Sequence, residues 1–366
     1  MPLPRLLAAA ALLAGLAFAL VAQPASAKAG KKAHRKAAAV QAQTAPDVVT
    51  YGSRDDVMRF ADEVARRRGI DAGWLQDALR QARYQPSVAR FIMPSPTGAA
   101  KNWGAYRARF VEPVRINAGA AFWRANEKWL VLAEETFGVP PEVIVGIVGV
   151  ETIYGQQMGN FRAIDALATL AFDFPAGRTD RSAFFRDELE SLLVLCRREG
   201  TDPLVQKGSY AGAIGMPQFM PSSVNKYAID LDGDGRIDLQ RSAADVIGSV
   251  ARYLAEFGWT RGLPSRFEVV PPTDPTERAV LLAPDIVPEF AAGEFTARGA
   301  RLSDAGLATP GKLALVEVQN GDASPSYVAG TTNFYAITRY NWSSYYALAV
   351  IELGEAVARE RATVAR

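Results

Sequence analysis

One glutamate stands in a segment that is otherwise apolar. Glu151 follows Val148, Gly149 and Val150, and residues 142–154 are apolar on almost every face of the helix that they predict. A helix that is apolar all round is a buried one, and burial disfavours the ionised form of a carboxyl and raises its pKa. A glutamate whose pKa is raised by about two units is a general acid near neutral pH. The alternative is a structural glutamate that pairs with an arginine or faces a solvated seam.

The composition restricts which other groups can carry out chemistry. The 366 residues include one cysteine, Cys196, and one histidine, His34, which lies in a basic stretch near the N-terminus. One cysteine excludes an intramolecular disulfide, a thiolate zinc site and an iron–sulfur cluster. One histidine in that place argues against a Ser–His–Asp triad and a His-ligated metal. Acid–base chemistry therefore falls to Asp, Glu, Lys or Tyr.

A second candidate site is a calcium loop that begins at residue 230. Carboxylates fall at loop positions 1, 3, 5 and 9 with glycine at position 6, and those carboxylates belong to Asp230, Asp232, Asp234 and Asp238. The backbone carbonyl of Arg236 is available at position 7. Arg241 replaces the glutamate of position 12, and Asp245 is the candidate for the missing ligand. The alternative for Asp245 is a capping box with Ser242.

Two further segments contain groups that suit a sugar ligand. Residues 208–223 are small and turn-rich, which lets a backbone approach a ligand closely. Their hydrogen-bonding side chains and aromatic rings are Ser209, Gln218, Ser222, Tyr210 and Phe219. Between residues 333 and 346, aromatic residues alternate with amides and an arginine. The alternatives are a connector whose serines cap the next helix and an ordinary core edge.

Hydrophobic periodicity predicts a mainly α chain of the α+β class with a small β-containing region. The predicted helices begin at Asp55 and continue over residues 72–83, 115–137, 142–154, 187–198, 243–257 and 345–358. The predicted strands are residues 267–270, 313–318 and 334–337.

The first 48 residues predict export. Arg5, an apolar run from Leu6 to Ala22 and the small residues at 25–27 indicate a cleaved signal peptide over residues 1–27. The alternative is a membrane anchor, for which an alanine-rich run of about 17 residues is short. Residues 28–48 predict a basic disordered linker, and the positive charge concentrated there leaves a balanced body, which argues against nucleic acid as a partner.

Three of these segments resemble the lytic murein transglycosylase B family. They are residues 139–155, 210–223 and 333–341, and the similarity runs from about Tyr51 to Val357. The resemblance implies a catalytic region over 49–366. In it, a lysozyme-like core of about 120–262 is closed by 330–358, with an additional helical region and a small mixed β element at about 263–330. It also implies cleavage of the β-1,4 bond between N-acetylmuramic acid and N-acetylglucosamine in peptidoglycan, with a 1,6-anhydro end as product.

The same resemblance assigns residues. Glu151 is the sole general acid and then base, with no catalytic cofactor. Together with Phe219, whose ring offers a stacking face, the expected substrate-binding residues are Tyr106, Ser209, Gln218, Tyr253, Tyr340, Asn341 and Tyr346. The expected ligands of a structural Ca²⁺ are Asp230, Asp232, Asp234, Arg236 through its carbonyl, and Asp245.

No cysteine near residue 27 is available for lipid attachment, unlike the family's namesake lipoprotein. We therefore expect a soluble, monomeric periplasmic protein whose partner is the glycan strand of peptidoglycan, without a stable membrane anchor. Two alternatives stay open: a hydrolytic muramidase on the same scaffold and a catalytically inactive peptidoglycan-binding protein.

Overall fold

The computed structural model describes residues 49–94 and 101–364 of the chain. The predicted signal peptide, residues 1–27, and the predicted linker, residues 28–48, lie outside the described residues. None of the helices within the described ranges combines the length and the apolar character needed to cross a membrane.

Helices dominate the described chain, as the periodicity predicts. After a short 3₁₀ turn at Tyr51–Ser53, the helices are α1 Asp55–Arg68, α2 Ala72–Arg80, α3 Pro86–Phe91, α4 Trp103–Arg107, α5 Pro113–Ala125, α6 Glu127–Phe137, α7 Pro141–Thr152, α8 Ala163–Phe172, α9 Ser182–Glu199, α10 Pro221–Tyr227, α11 Ala243–Glu256, α12 Pro275–Leu282, α13 Ala292–Ala297, α14 Asp304–Leu307, α15 Thr332–Thr338 and α16 Ser344–Val364.

The strands form two sheets. They are β1 Phe161–Arg162, β2 Lys207–Gly208, β3 Arg266–Val270, β4 Phe290–Ala291, β5 Arg301–Leu302, β6 Lys312–Asn320 and β7 Ala323–Gly330. The first two pair with each other, and the remaining five form an antiparallel sheet in the order β4-β6-β7-β3-β5. The mainly helical class with a minor sheet is confirmed.

Helix α7 lies at the centre of the main core and packs against α16 along most of its length. Glycines allow this contact. A Cβ atom at Gly146 would lie 2.2 Å from the carbonyl oxygen of Val350, and one at Gly354 would lie 2.0 Å from that of Glu142. The two helices run antiparallel, so the C-terminal end of α7 meets the N-terminal end of α16.

Strand β6 attaches the sheet to the helices because both of its faces are buried. Leu313 and Leu315 pack in a small core of the sheet, whereas Ala314, Val316 and Val318 pack in the main core. Side chains of a strand alternate between its faces, so one strand serves both cores.

Two predicted elements are wrong in detail. The helix predicted over 115–137 is two helices that part at Asn126, where the backbone has φ −122° and the side-chain amide donates to the carbonyl of Phe122. Asparagine competes with the helix backbone for hydrogen bonds in this way. The strand predicted over 334–337 is part of α15, which Thr331 caps through its hydroxyl.

We predict that Gly354→Ala lowers the free energy of unfolding by about 3 kcal/mol, because the added methyl overlaps a backbone oxygen and separates α7 from α16. Urea unfolding measures the change. Gly293→Ala in α13 is the matched control, since a Cβ atom there meets nothing within 4 Å, and it should be neutral or slightly stabilising. Equal effects of the two substitutions would contradict the proposed packing constraint.

Candidate active site

The surroundings of the Glu151 carboxyl disfavour its ionised form. The residue is half-buried near the end of α7, and the Tyr346 hydroxyl donates a hydrogen bond to its Oε1 at 2.6 Å. Desolvation raises the pKa of Glu151 to about 7, while the hydrogen bond from Tyr346 favours the carboxylate and lowers the pKa in part. Within the described residues no cation pairs with Glu151, so the alternative of a structural ion pair is not realised.

The chain leaves α7 immediately after Glu151 through an unusual turn. Ile153 and Tyr154 have φ values of 51° and 54°, a backbone region that non-glycine residues seldom adopt. The Thr152 side chain fastens this turn: its hydroxyl donates to the carbonyl of Met216 at 2.9 Å and accepts from the N–H of Gly155 at 3.0 Å. The end of the helix is therefore tied to the glycine-rich segment 208–223.

Two compartments of one trough meet at Glu151. The first has a volume of about 100 Å³ and is lined by six of the eight expected substrate-binding residues, Tyr106, Ser209, Gln218, Tyr340, Asn341 and Tyr346. The second has a volume of about 630 Å³ and is lined by residues 155–160 together with Arg109, Phe110 and Arg115. Among the described residues that line these two compartments, Glu151 is the only carboxylate.

Aromatic rings form the wall beside Glu151. The ring of Tyr340 lies parallel to that of Tyr346, with centroids 6.4 Å apart, and its hydroxyl donates to the carbonyl of Pro217 at 3.0 Å. Phe219 and Tyr253 pack behind Tyr340 and are 2% and 7% exposed. Neither is among the residues that line the two compartments, so their contact with the substrate stays a prediction. Their rings pack against that of Tyr340 and support it.

The polar side chains of the glycine-rich segment 208–223 differ in how many of their hydrogen-bonding atoms remain available to a ligand. The Ser209 hydroxyl accepts from the N–H of Ala213 at 3.1 Å. The Gln218 amide nitrogen donates to two carbonyls, but its buried Oε1 has no partner among the described residues. A buried acceptor without a partner is costly, and a ligand N–H or hydroxyl would satisfy it. Ser222 is engaged away from the trough, where it donates to Glu188.

The second compartment is a part of the site that the sequence motifs did not predict. Arg115 is 8% exposed, and its guanidinium donates to the carbonyls of Arg109 at 2.7 Å and Gly149 at 3.3 Å. It thereby ties the loop after α4 to the end of α7. Only the amides of Gln156, Gln157 and Asn160, which directly follow the Glu151 segment, were a signal that sequence reading could have used.

The expected calcium loop brings three carboxylates together. Ligand oxygens of Asp230, Asp232 and Asp245 lie within 4.8 Å of one another. Burial raises the pKa of Asp245, and the like charges of Asp232 and Asp230 raise it further. Asp234 is exposed and lies outside this group; its carboxylate accepts from the backbone N–H of Arg236 at 2.8 Å. A cluster of carboxylates without a cation is unfavourable, so this donor set suits a hard divalent ion.

The structure forms only one of the two hydrogen bonds of the capping box that was the alternative interpretation of Asp245. Ser242 caps α11 by accepting from the N–H of Asp245 at 3.2 Å. The Asp245 carboxylate does not return to Ser242, as a capping box requires, but accepts from the N–H groups of Leu231 and Asp238 at 3.0 and 2.8 Å. Asp245 therefore closes the loop.

Known proteins are similar to most of this chain. The family model described as "Transglycosylase SLT domain" matches residues 52–355. The membrane-bound lytic murein transglycosylase B of Escherichia coli K12 is 38% identical over 326 residues, 85% of each chain. The crystal structure of the soluble lytic transglycosylase SltB1 from Pseudomonas aeruginosa superposes with a TM-score of 0.76 at 39% identity, over 84% of this chain and 99% of that one.

A structure of the Escherichia coli lytic transglycosylase Slt35 in complex with calcium is also similar. Its TM-score is 0.73 at 38% identity, and the match covers 85% of this chain and 95% of that chain. The lysozyme-like fold expected from the sequence is the fold of these neighbours.

We predict that Tyr346→Phe raises the pKa of Glu151 above its native value of about 7. The lost hydrogen bond stabilises only the carboxylate, and a bond of that strength corresponds to about one pKa unit. A pH titration of the Glu151 carboxyl carbon by ¹³C NMR measures the change. Tyr340→Phe is the matched control, because its hydroxyl bonds to Pro217; an equal shift in both variants would contradict the assignment.

Proposed function

The chain belongs to the transglycosylase SLT domain family, and on this premise we propose that it is a lytic murein transglycosylase with Glu151 as its catalytic residue. The enzyme cleaves the β-1,4 bond between N-acetylmuramic acid and N-acetylglucosamine of peptidoglycan and leaves a 1,6-anhydromuramoyl end. One observation carries the proposal: a lone, half-buried carboxyl with a pKa of about 7 stands where the two compartments of the trough meet.

The first step requires an acid. Protonated Glu151 donates its proton to the glycosidic oxygen as the bond to C1 of the muramic acid breaks. A carboxyl with a pKa near 7 keeps a substantial protonated fraction at neutral pH, unlike an ordinary glutamate. The positive charge that develops at C1 is taken up by the carbonyl oxygen of the sugar's own N-acetyl group, since no second carboxylate is available in the two compartments.

The second step requires a base. Glu151, now ionised, accepts the proton of the C6 hydroxyl of the same muramic acid, while the C6 oxygen attacks C1 and releases the N-acetyl group. No water is consumed. The attacking hydroxyl belongs to the bound sugar, which gives it a large advantage in effective concentration. Tyr346 assists the first of these two steps, because its hydrogen bond at 2.6 Å stabilises the carboxylate that the first step produces.

The lone carboxylate also distinguishes this mechanism from ordinary glycoside hydrolysis. Retaining hydrolases use two carboxyl groups about 5 Å apart and inverting ones use two at about 6.5–9.5 Å. Among the described residues that line the two compartments at Glu151, no second carboxylate is present. This favours the intramolecular reaction over the hydrolytic muramidase.

We also propose a structural Ca²⁺ in the loop of residues 230–245. Asp230, Asp232 and Asp245 would hold it, because their carboxylate oxygens converge and are the hard donors that Ca²⁺ prefers. The ion would neutralise the cluster and fix the start of α11, which carries Tyr253 against Tyr340.

The substrate determines where the enzyme works. Peptidoglycan lies outside the cytoplasmic membrane, so the proposed activity requires export to the periplasm. The predicted signal peptide at residues 1–27 would supply it. We propose a soluble enzyme there, with glycan strands as its partner.

We predict that Glu151→Gln abolishes the cleavage of purified sacculi but leaves glycan binding intact, because the amide keeps the shape of the side chain and cannot donate the acidic proton. Mass spectrometry of the wild-type products should show ends one water lighter than reducing ends. Wild-type activity should fall as pH rises through about 7, where Glu151 loses its proton.

The matched control is Glu142→Gln at the other end of α7, which should keep full activity. Turnover by Glu151→Gln would refute the assignment, whereas reducing ends in the wild-type products would indicate a muramidase. A wild-type enzyme without any cleavage would indicate a binding protein.

We predict that Ca²⁺ at about 100 times its Kd stabilises the protein by about 2.7 kcal/mol, seen as a rise of several degrees in Tm by calorimetry, and that EDTA reverses it. Asp245→Asn should remove the calcium-dependent part of the rise. Asp322→Asn, which removes an exposed charge outside the loop, should retain it. A Ca²⁺ effect that survives Asp245→Asn would exclude this site.

A further inference from the structure

Helix α7 ends one residue beyond Glu151, in a left-handed turn made by residues other than glycine. The N–H of Ile153 donates to the carbonyl of Gly149 at 3.2 Å. The N–H of Tyr154 donates to that of Val148 at 3.3 Å. Many helices end with such bonds around a glycine, but here Ile153 has φ 51° and ψ 53°, and Tyr154 follows with φ 54°. A β-branched residue is a genuine outlier in this region, so contacts outside the turn must hold it.

The outer end of the Tyr154 side chain fills a slot between α5 and α7. A Cβ atom at Gly119 or Gly149 would lie 2.3 or 2.4 Å from the Tyr154 hydroxyl oxygen. Val357 and Leu353 of α16 close the slot, at 2.6 and 2.8 Å from the same two positions. Neither glycine has a positive φ, and glycine weakens the interior of a helix. The two glycines are therefore explained by the space that the neighbouring side chains need, that of Tyr154 first.

Packing, and not hydrogen bonding, holds Tyr154 in this slot. The ring stacks on that of Phe122 in α5, with centroids 5.2 Å apart and planes inclined by 29°. The hydroxyl oxygen is buried and has no hydrogen-bond partner among residues 49–94 and 101–364. A buried hydroxyl without a partner costs stability. The ring therefore supplies the stabilisation, and the hydroxyl opposes it.

The course of the chain after Glu151 decides whether its carboxyl is accessible. Residues three and four apart share a helix face, so one more turn of α7 would place Tyr154 and Gly155 over Glu151. Gly149 precedes Glu151 by two residues and lies on the opposite face of the helix. The left-handed turn takes Tyr154 to that opposite face. Residues 155–160 pass instead along the second compartment, which Glu151 also lines.

We propose that Tyr154 is a positioning residue for the reaction: its ring, seated in the slot, ends α7 at this point and keeps the Glu151 carboxyl open to the second compartment. Tyr154 lines neither compartment at Glu151, so it acts through the backbone and not by contact with the substrate. Thr152 fastens the same turn on the other side, to Met216. The catalytic part of this inference rests on the proposed function, whereas the accessibility of the carboxyl does not.

Tyr154→Leu tests the role of the ring, because it removes the ring and keeps an apolar side chain. We expect kcat for the cleavage of soluble glycan strands to fall about a hundredfold, with KM changed by less than about twofold, since a misplaced reacting group has this effect. The pKa of Glu151, followed by ¹³C NMR of its carboxyl carbon, should rise above its native value of about 7, because an added helical turn covers the carboxyl.

Two further variants separate positioning from general stability. Tyr154→Phe keeps the ring and should have the kcat and the Glu151 pKa of the wild type, with equal or higher resistance to urea, because the unpartnered hydroxyl is gone. Tyr51→Leu is the matched control, since Tyr51 is 2% exposed and lines neither compartment. It should lower stability but leave kcat and the Glu151 pKa unchanged.

Gly119→Ala fills the slot without altering the turn itself, so it should act like Tyr154→Leu and replaces that variant if it does not fold. A wild-type kcat with the slot emptied or filled would overturn the positioning role. An equal loss of kcat in Tyr154→Phe or in Tyr51→Leu would overturn it too. A wild-type enzyme that cleaves no glycan would refute the proposed function, and the Glu151 pKa in these variants would still show whether the ring keeps the carboxyl accessible.

Discussion

The contact between the backbones of α7 and α16 determines where the reactive groups lie. Gly146 and Gly354 leave no room for a side chain between the helices, so the helices approach as closely as their main chains permit. Their antiparallel course then brings the last turn of one to the first turn of the other. Glu151 and Tyr346, 195 residues apart in sequence, meet there at 2.6 Å. Close packing of this kind transmits small displacements directly, so the hydrogen bond depends on the glycines.

The position that suits Glu151 for catalysis reduces the stability of the native state. Its pKa in the unfolded chain is near the ordinary 4.5, and in the folded protein it is about 7. A carboxyl with a raised folded pKa stabilises the fold fully only below the unfolded pKa, and this contribution is lost as pH rises through the folded value. At about 1.4 kcal/mol per pKa unit, the loss between pH 4.5 and 7 is on the order of 2–3 kcal/mol. The large core around α7 offsets it.

The sequence pattern predicted those features that depend on residues close together in the chain. The apolar surroundings of Glu151 were sufficient to predict a shielded carboxyl with a raised pKa. The prediction of a strand over 334–337 was wrong, because the aromatic and β-branched residues of this segment favour strands. The segment is helical because Thr331 caps the helix. The buried Asn333 also holds it in place by donating hydrogen bonds to the carbonyls of Thr260 and Leu263. Strand β7 escaped prediction, because its proline and serines are poor strand formers; Pro325 lies where the register with β6 shifts.

The pKa of about 7 is a balance between two opposing effects, and the double role of Glu151 requires that balance. Burial alone would keep the carboxyl protonated at neutral pH, but it would destabilise the carboxylate that the first step produces. The hydrogen bond from Tyr346 favours the carboxylate. A group that must give a proton and take another one back works best when neither form is strongly preferred at the working pH. The position of the Tyr346 hydroxyl is fixed, because the ring of Tyr346 is buried beside that of Tyr340. The same helix contact therefore sets both the place and the acidity of the reacting carboxyl.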